Sequence, residues 1–370
     1  MAGVSLALVA SALAWTVAPT TTSAAAPLSL TQPSDPIKAS IAIPANAATQ
    51  GVFSASIHWP MVPIHSVVVQ NGDLLTYGAR LDTGTVEQGG MQYDTWYPAT
   101  NQHVVSGWLG VDSFCNIGVP QAGNTLLMVG GTGDTAKASG TYDPSTLSYS
   151  TGSALAQERW YASMVRMPDD RMVIIGGSAP YPGDEPVDSL LALTPEIKAN
   201  GAAGAWTPLT GATSSLYFGG PHNRWWYPRS FLAPDGTIFG ISYDLMWKMS
   251  TTGSGSITPA GTITGTTGLG VASSAVMYAP GLILDAGGGQ LSNITEGPSS
   301  ANSLTIDING SSPVVQSSGS LHTARNWLNL TTLPGGMVLA TGGTTMGNQD
   351  STAAKHAEMW NPVSRTWTEL

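Results

Sequence analysis

One cysteine, Cys115, lies in the run Asp112-Ser113-Phe114-Cys115-Asn116, and Tyr161 lies further along in Gln157-Glu158-Arg159-Trp160-Tyr161-Ala162-Ser163. A lone thiol in 370 residues leaves no internal disulfide. Its plainest reading is a small buried hydrophobe, and any reactive role depends on what the fold sets beside it. The histidines His58, His65, His103, His222, His322 and His356 show no i, i+2 or i, i+4 ligand spacing. His65 precedes the apolar run Ser66–Val69 and reads as a core histidine. His222, in Pro221-His222-Asn223-Arg224, reads as a loop residue with a solvent or structural role. The acidic pairs Asp169-Asp170 and Asp184-Glu185 fall in turn sequences, where carboxylates accept backbone N–H groups, so carboxylate hydrolysis gains little support.

The elements that position these residues recur. A Pro/Asp/Gly/Asn turn, an apolar run and a glycine pair appear in Met167-Pro168-Asp169-Asp170 through Gly176-Gly177, and again in Leu333-Pro334-Gly335-Gly336 through Gly342-Gly343. Looser copies lead into Leu74, Leu126, Thr237 and Leu282. Turns feeding buried strands at intervals of roughly 45–65 residues predict an all-β, kelch-type β-propeller of four-stranded blades. Inner strands are expected near 66–69, 115–119, 161–166, 229–232, 272–277 and 327–332. Equivalent starts of adjacent blades meet at one level near the axis, so Cys115 and Tyr161 are expected to be lateral neighbours. His322, before Ala324-Arg325, is within reach of that axial face but is assigned no ligand role.

Composition agrees with many short strands. Gly (44) and Pro (25) are abundant, 10% of residues are charged, and 12 Trp with 11 Tyr give every repeat an aromatic to bury. A net charge of −10 with only 13 basic residues argues against nucleic acid or an anionic membrane as partner. The apolar run Val4–Val17 and the small residues Thr22–Ala26 read as a secretory signal-like segment over 1–26, although no Lys or Arg precedes Lys38. Residues 27–50 read as a linker and 51–370 as the propeller, secreted and free of any membrane once the signal is removed.

At Phe114-Cys115, at Arg159-Trp160-Tyr161 with its following turn and glycine pair, and at Ala324-Arg325-Asn326-Trp327 with Leu333-Pro334-Gly335-Gly336, the chain resembles the galactose oxidase/glyoxal oxidase family of copper radical oxidases. Trp59-Pro60-Met61-Val62-Pro63-Ile64-His65 is also similar to the first blade of bacterial members. The resemblance implies that Cys115 and Tyr161 form a thioether redox cofactor, that Tyr161 is a copper ligand and one-electron store, and that a small alcohol or aldehyde is oxidised while O2 is reduced to H2O2. Imidazole and phenolate suit Cu(II) in tetragonal geometry. The family pattern also asks for a Tyr-His dipeptide in a seventh blade and a later His. This sequence has no Tyr-His dipeptide, and Trp360 through Leu370 reads as the outer part of a sixth blade. Six of an intended seven blades, an incomplete copper site and no turnover by this chain alone are therefore expected.

Two further departures bear on substrate. Ala179 stands where galactose oxidases proper carry a stacking Trp, and no counterpart of their substrate arginine occurs around Thr266–Ser274, which favours a glyoxal-oxidase-like range. Trp160 is expected to pack between blades, because adjacent strand residues point to opposite faces. Trp225-Trp226-Tyr227-Pro228 is expected to serve core packing in an inner strand. Asn293, Asn309 and Asn329 head sequons, to which no glycan is assigned. The competing function is a non-catalytic kelch propeller that binds a protein or surface glycan, with Cys115 an inert core thiol.

Overall fold

The computed structural model describes residues 42–69, 72–80, 91–106, 112, 114–199, 204–264, 269–289 and 297–370. The signal-like segment 1–26, most of the linker, the sequon at Asn293 and the stretch from Thr266 to Gly268 lie outside the described residues.

Among the described residues the chain is all-β. Six antiparallel sheets of four strands form, each from four consecutive strands in sequence order. The first blade holds β1 (Met61–Val68), β2 (Leu74–Arg80), β3 (Met91–Tyr97) and β4 (Gln102–Ser106). The second holds β5 (Ile117–Gln121), β6 (Thr125–Val129), β7 (Ser139–Asp143) and β8 (Ser148–Thr151). The third holds β9 (Ser163–Arg166), β10 (Met172–Ile175), β11 (Glu196–Lys198) and β12 (Trp206–Pro208). The fourth holds β13 (Arg229–Leu232), β14 (Ile238–Ser242), β15 (Leu245–Ser250) and β16 (Ser256–Thr262). The fifth holds β17 (Ser273–Ala279), β18 (Leu282–Gly287), β19 (Asn302–Asp307) and β20 (Val314–Ser320). The sixth holds β21 (Asn329–Thr332), β22 (Val338–Thr341), β23 (Glu358–Asn361) and β24 (Thr366–Glu369). Inner strands lie side by side in succession, β5 by β9, β9 by β13, β13 by β17 and β17 by β21. This is the radial arrangement of a propeller, with six blades.

Local chemistry makes each hairpin. In Ala233-Pro234-Asp235-Gly236-Thr237 the Asp235 carboxylate accepts the Thr237 N–H at 3.0 Å and its hydroxyl at 2.6 Å. Those bonds, with Lys248 at 3.0 Å, hold Asp235 down at about 2. Gly236 takes φ +81, which a side chain would resist. The second strand carries most of a blade's burial: β10 and β14 are buried at every position, and β22 at alternate positions. At its end the glycine pair permits close approach to the next blade. A Cβ on Gly130, at φ +72, would stand 2.1 Å from the carbonyl oxygen of Arg159, at the entrance of the third blade.

Two blades carry a second, longer-range device. Arg159 donates to Glu196 at 2.8 Å and to the carbonyls of Gly176 and Thr194, while Glu196 accepts the N–H of Ala156 at 2.8 Å. Arg325 repeats this, donating to Glu358 at 2.7 Å and to the carbonyls of Gly342 and His356, while Glu358 accepts the His322 N–H at 2.6 Å. All four side chains are buried. Because every charge is paired and further hydrogen-bonded, burial is sustainable, and each pair locks the segment entering the inner strand onto the third strand.

Five inter-blade cores fill the wedges. Tyr77, Tyr93, Leu126 and Tyr142 join blades one and two; Leu127, Ile174 and Trp206 join two and three. Val173, Phe218 and Trp247 join three and four; Phe239, Ile283 and Leu304 join four and five; Leu284, Val338 and Trp360 join five and six. A sixth buried cluster lies where the inner strands begin.

Candidate functional site

The residues that enter the inner strands build that sixth cluster. Cys115, Tyr161, Tyr227 and Trp327 each stand two positions before β5, β9, β13 and β21, so the expected strand starts at 115, 161 and 327 are corrected to 117, 163 and 329. All four have positive φ, 60°, 60°, 41° and 52°. Non-glycine residues resist this region at a cost of about 1–2 kcal/mol each, so the same strained turn is held at four blade entrances. What holds it is a backbone chain between blades. The Tyr161 N–H donates to the Cys115 carbonyl at 3.1 Å, the Tyr227 N–H to the Tyr161 carbonyl at 2.9 Å, and the Trp327 N–H to the Ala272 carbonyl at 3.0 Å. The sequence-based pairing of Cys115 with Tyr161 thus has a structural basis: the two residues are bonded through their backbones and bury their side chains in one cluster.

Around Tyr161 the cluster is aromatic. The Trp160 ring stacks on Tyr161 with centroids 3.9 Å apart and planes 23° apart. On Trp226 the separation is 4.8 Å and the angle 7°. Tyr227 tilts against Tyr161 at 5.0 Å. These contacts bear on two expectations. Trp160 does not turn away from Tyr161, because the pair precedes β9 and the positive φ at Tyr161 breaks the strand alternation on which that expectation rested. Trp225, Trp226 and Tyr227 lie before β13 rather than within it, but they do pack in a buried core cluster as expected, with Trp226 stacked on Tyr161. The usable signal was the repeat register: Tyr227 occupies in blade four the place of Tyr161 in blade three.

Charge beneath the stack is sparse and buried. Burial holds the Tyr227 phenol well above its ordinary range; the nearby Cys115 adds to this and the Arg229 guanidinium opposes it. Arg229 donates to the Val271 carbonyl at 2.6 Å and also to the carbonyls of Tyr227 and Ser273, stitching blade four to blade five. Asp285, buried on β18, is pushed up to about 6 by desolvation, with Arg229 pulling the other way. Asn116, beside Cys115, is buried with both amide atoms unpartnered. Tyr161 thus sits buried in a largely apolar, aromatic surround.

The histidines are placed elsewhere. His65 stacks on Tyr77 at 4.5 Å, His103 bonds Asp94 at 2.7 Å, and His222 stacks on Tyr243 at 4.8 Å. His322 meets the Trp367 carbonyl at 3.1 Å on the outermost strand of its blade rather than on the axial face. His58 and His356 are exposed. Among the described residues no group of three or more His, Cys, Asp and Glu side chains has the arrangement to hold a metal ion. No described contact sets an imidazole against the Tyr161 phenol, and the donor set that the described residues present does not by itself fit a copper site of imidazole and phenolate. Glu185, one of the turn carboxylates, accepts the His222 N–H at 2.9 Å, in keeping with a structural role.

No protein-family model matches the chain. Two curated galactose oxidases from Gibberella zeae are 28% identical over 343 residues, covering 86% of this chain and 48% of each relative. The chain thus spans about half the length of the curated relatives it matches. Among solved structures, a fungal alcohol oxidase in complex with copper superposes with a TM-score of 0.68 at 18% identity, covering 85% of this chain and 66% of that one. YjhT superposes at 0.54 and 11% identity, covering 84% and 99%. Both structures share the fold. With the blade entrances and the buried tyrosine already placed, the sequence match supplies the lineage: this chain is a homologue of galactose oxidase that folds as six propeller blades.

Proposed function

We propose that the protein is a secreted copper radical oxidase that oxidises a small alcohol or aldehyde and passes two electrons and two protons to O2, giving H2O2. One observation carries this: in a galactose oxidase homologue, the lone Cys115 and Tyr161 meet at adjacent blade entrances, with Tyr161 held between two indole rings. Cys115 and Tyr161 form the thioether, in which a C–S bond replaces the S–H and one ring C–H and two hydrogens are lost to O2. Sulfur on the ring delocalises the unpaired electron and makes the radical easier to form and keep. Tyr161 is the copper ligand that this chain contributes. With no described contact setting an imidazole against it, the described residues alone do not complete the metal's donor set, and no turnover is expected from them unaided. The Ala179 position and the two indoles already covering Tyr161 favour a glyoxal-oxidase-like substrate over galactose. Secretion is supported by the apolar run Val4–Val17 and the small residues after it.

The test has two readings. After copper and air, digestion of the wild type should yield one peptide joining Cys115 to Tyr161, lighter by two hydrogens than its parts. Cys115→Ser should yield none, keep its circular dichroism spectrum, and abolish the H2O2 release seen from an active preparation containing the whole protein. Absence of the joined peptide from copper-loaded protein, together with no peroxide over a broad panel of alcohols and aldehydes, would favour the binding-module reading. Robust peroxide release by the 370-residue chain alone would show that its own side chains complete the site after all.

A further inference from the structure

Tyr161 is the midpoint of a longer run of rings. In one direction Trp160 follows at 3.9 Å and Tyr181 at a further 5.0 Å. In the other, Trp226 follows at 4.8 Å and Trp327 at a further 5.6 Å. The inner members are buried, Trp160 at 7% and Trp226 at 6% exposure, whereas Tyr181 is 53% exposed and Trp327 is half-buried. The run therefore connects a buried tyrosine to the surface twice.

The indole N–H groups mark the same rings independently. Seven of the ten described tryptophans donate to a side-chain oxygen: Trp59 to Thr76, Trp96 to Asn101, Trp206 to Ser139, Trp225 to Asn223, Trp247 to Ser242, Trp360 to Ser318 and Trp367 to Ser303. The three whose N–H finds no acceptor in the protein are Trp160, Trp226 and Trp327, the indoles of the run. A buried donor left unpaired costs about 1–3 kcal/mol, so packing alone gives no reason to gather all three here. For electron movement the arrangement is useful: an indole with no proton acceptor at its nitrogen exchanges an electron without also exchanging a proton.

We propose that these rings conduct single oxidising equivalents between the surface and Tyr161, with Trp226 and Trp327 as one arm and Trp160 and Tyr181 as the other. This rests on the reading of Tyr161 as the redox side chain. In the inward direction a one-electron acceptor of the hexachloroiridate(IV) class takes an electron from Trp327 and becomes iridium(III). Trp226 refills Trp327, and Tyr161 refills Trp226. The Tyr161 phenol proton leaves to the buffer. The net change is one electron and one proton lost from Tyr161 and one acceptor reduced. Trp160 and Trp226 are positioning residues as well as carriers, since they hold the tyrosine ring between them.

The test uses the full, metal-free chain mixed with hexachloroiridate(IV) and freeze-quenched for electron paramagnetic resonance. The wild type should develop a tyrosyl signal. Tyr161→Phe combined with Tyr181→Phe should lose it and show tryptophanyl radical in its place. Tyr181→Phe with Trp327→Phe, which removes both outer rings where the chain has room to accept the change, should slow formation of the tyrosyl signal by about tenfold, as a barrier higher by ~1.4 kcal/mol would. Each single substitution should give a smaller effect, and Trp96→Phe, far from the run, none. A double variant that forms the signal at the wild-type rate overturns the conduction path while leaving Tyr161 as the radical site. A tyrosyl signal that survives in Tyr161→Phe combined with Tyr181→Phe, which leaves the run without a phenol, overturns the assignment of Tyr161 itself, and the path with it.

Discussion

Asp285 shows how strongly this interior sets the chemistry of one side chain. Its carboxyl is buried and titrates at about 6 rather than the ordinary 3.8. Between those values the folded protein keeps a proton that the unfolded chain has released. Stability is therefore fullest below the window and falls as pH rises through it. Thermal or denaturant unfolding should show the wild type losing stability relative to Asp285→Asn between pH 4 and pH 6, by about 2 kcal/mol over that interval. Parallel curves would mean that Arg229 keeps the carboxylate ionised throughout. At this scale the sequence was partly legible. Cys115 and Tyr161 could be paired because one is the only thiol and the other stands at the matching place in the next repeat. Trp160 and Trp226 were not legible as neighbours of Tyr161, because that contact depends on positive φ values that break strand alternation.

The elements that hold the site are the blade entrances, and two of them hang on a buried ion pair. Removing one member leaves the other charge buried without compensation, which costs about 3–5 kcal/mol. Glu196→Gln and Glu358→Gln should each lower the unfolding free energy, measured by urea denaturation, by an amount in that range. Asp170→Asn, at the exposed pair with Arg166, should change stability by no more than about 1 kcal/mol. Equal small effects in all three would assign the Arg159 and Arg325 anchors to their carbonyl contacts instead. The turn, apolar strand and glycine pair were readable directly, since each is local chemistry repeated along the chain, and the inner strand at 229–232 agrees residue for residue. The acidic partners were not. Glu196 lies 37 residues from Arg159, and no periodicity links a third strand to the segment entering its own blade.

Over the whole molecule each blade's core is shared with its sequence neighbours, so the architecture was recoverable from the repeat interval while the content of the central cluster was not. The backbone bond from Tyr161 to Cys115 crosses from blade three to blade two. If the thioether forms at that crossing, all of blade two becomes a closed covalent ring, and the molecule acquires a knot of connectivity with no disulfide in it. A loop of this size removes chain entropy worth about 4 kcal/mol from the unfolded state. Such a ring also survives cutting. A protease site placed in the exposed Ser145–Thr146 turn, then cleaved, should give two pieces that migrate together on a reducing denaturing gel, whereas the same cut in Cys115→Ser should release them. The blade that carries the cysteine would then be the one part of the backbone that can be severed without parting the protein.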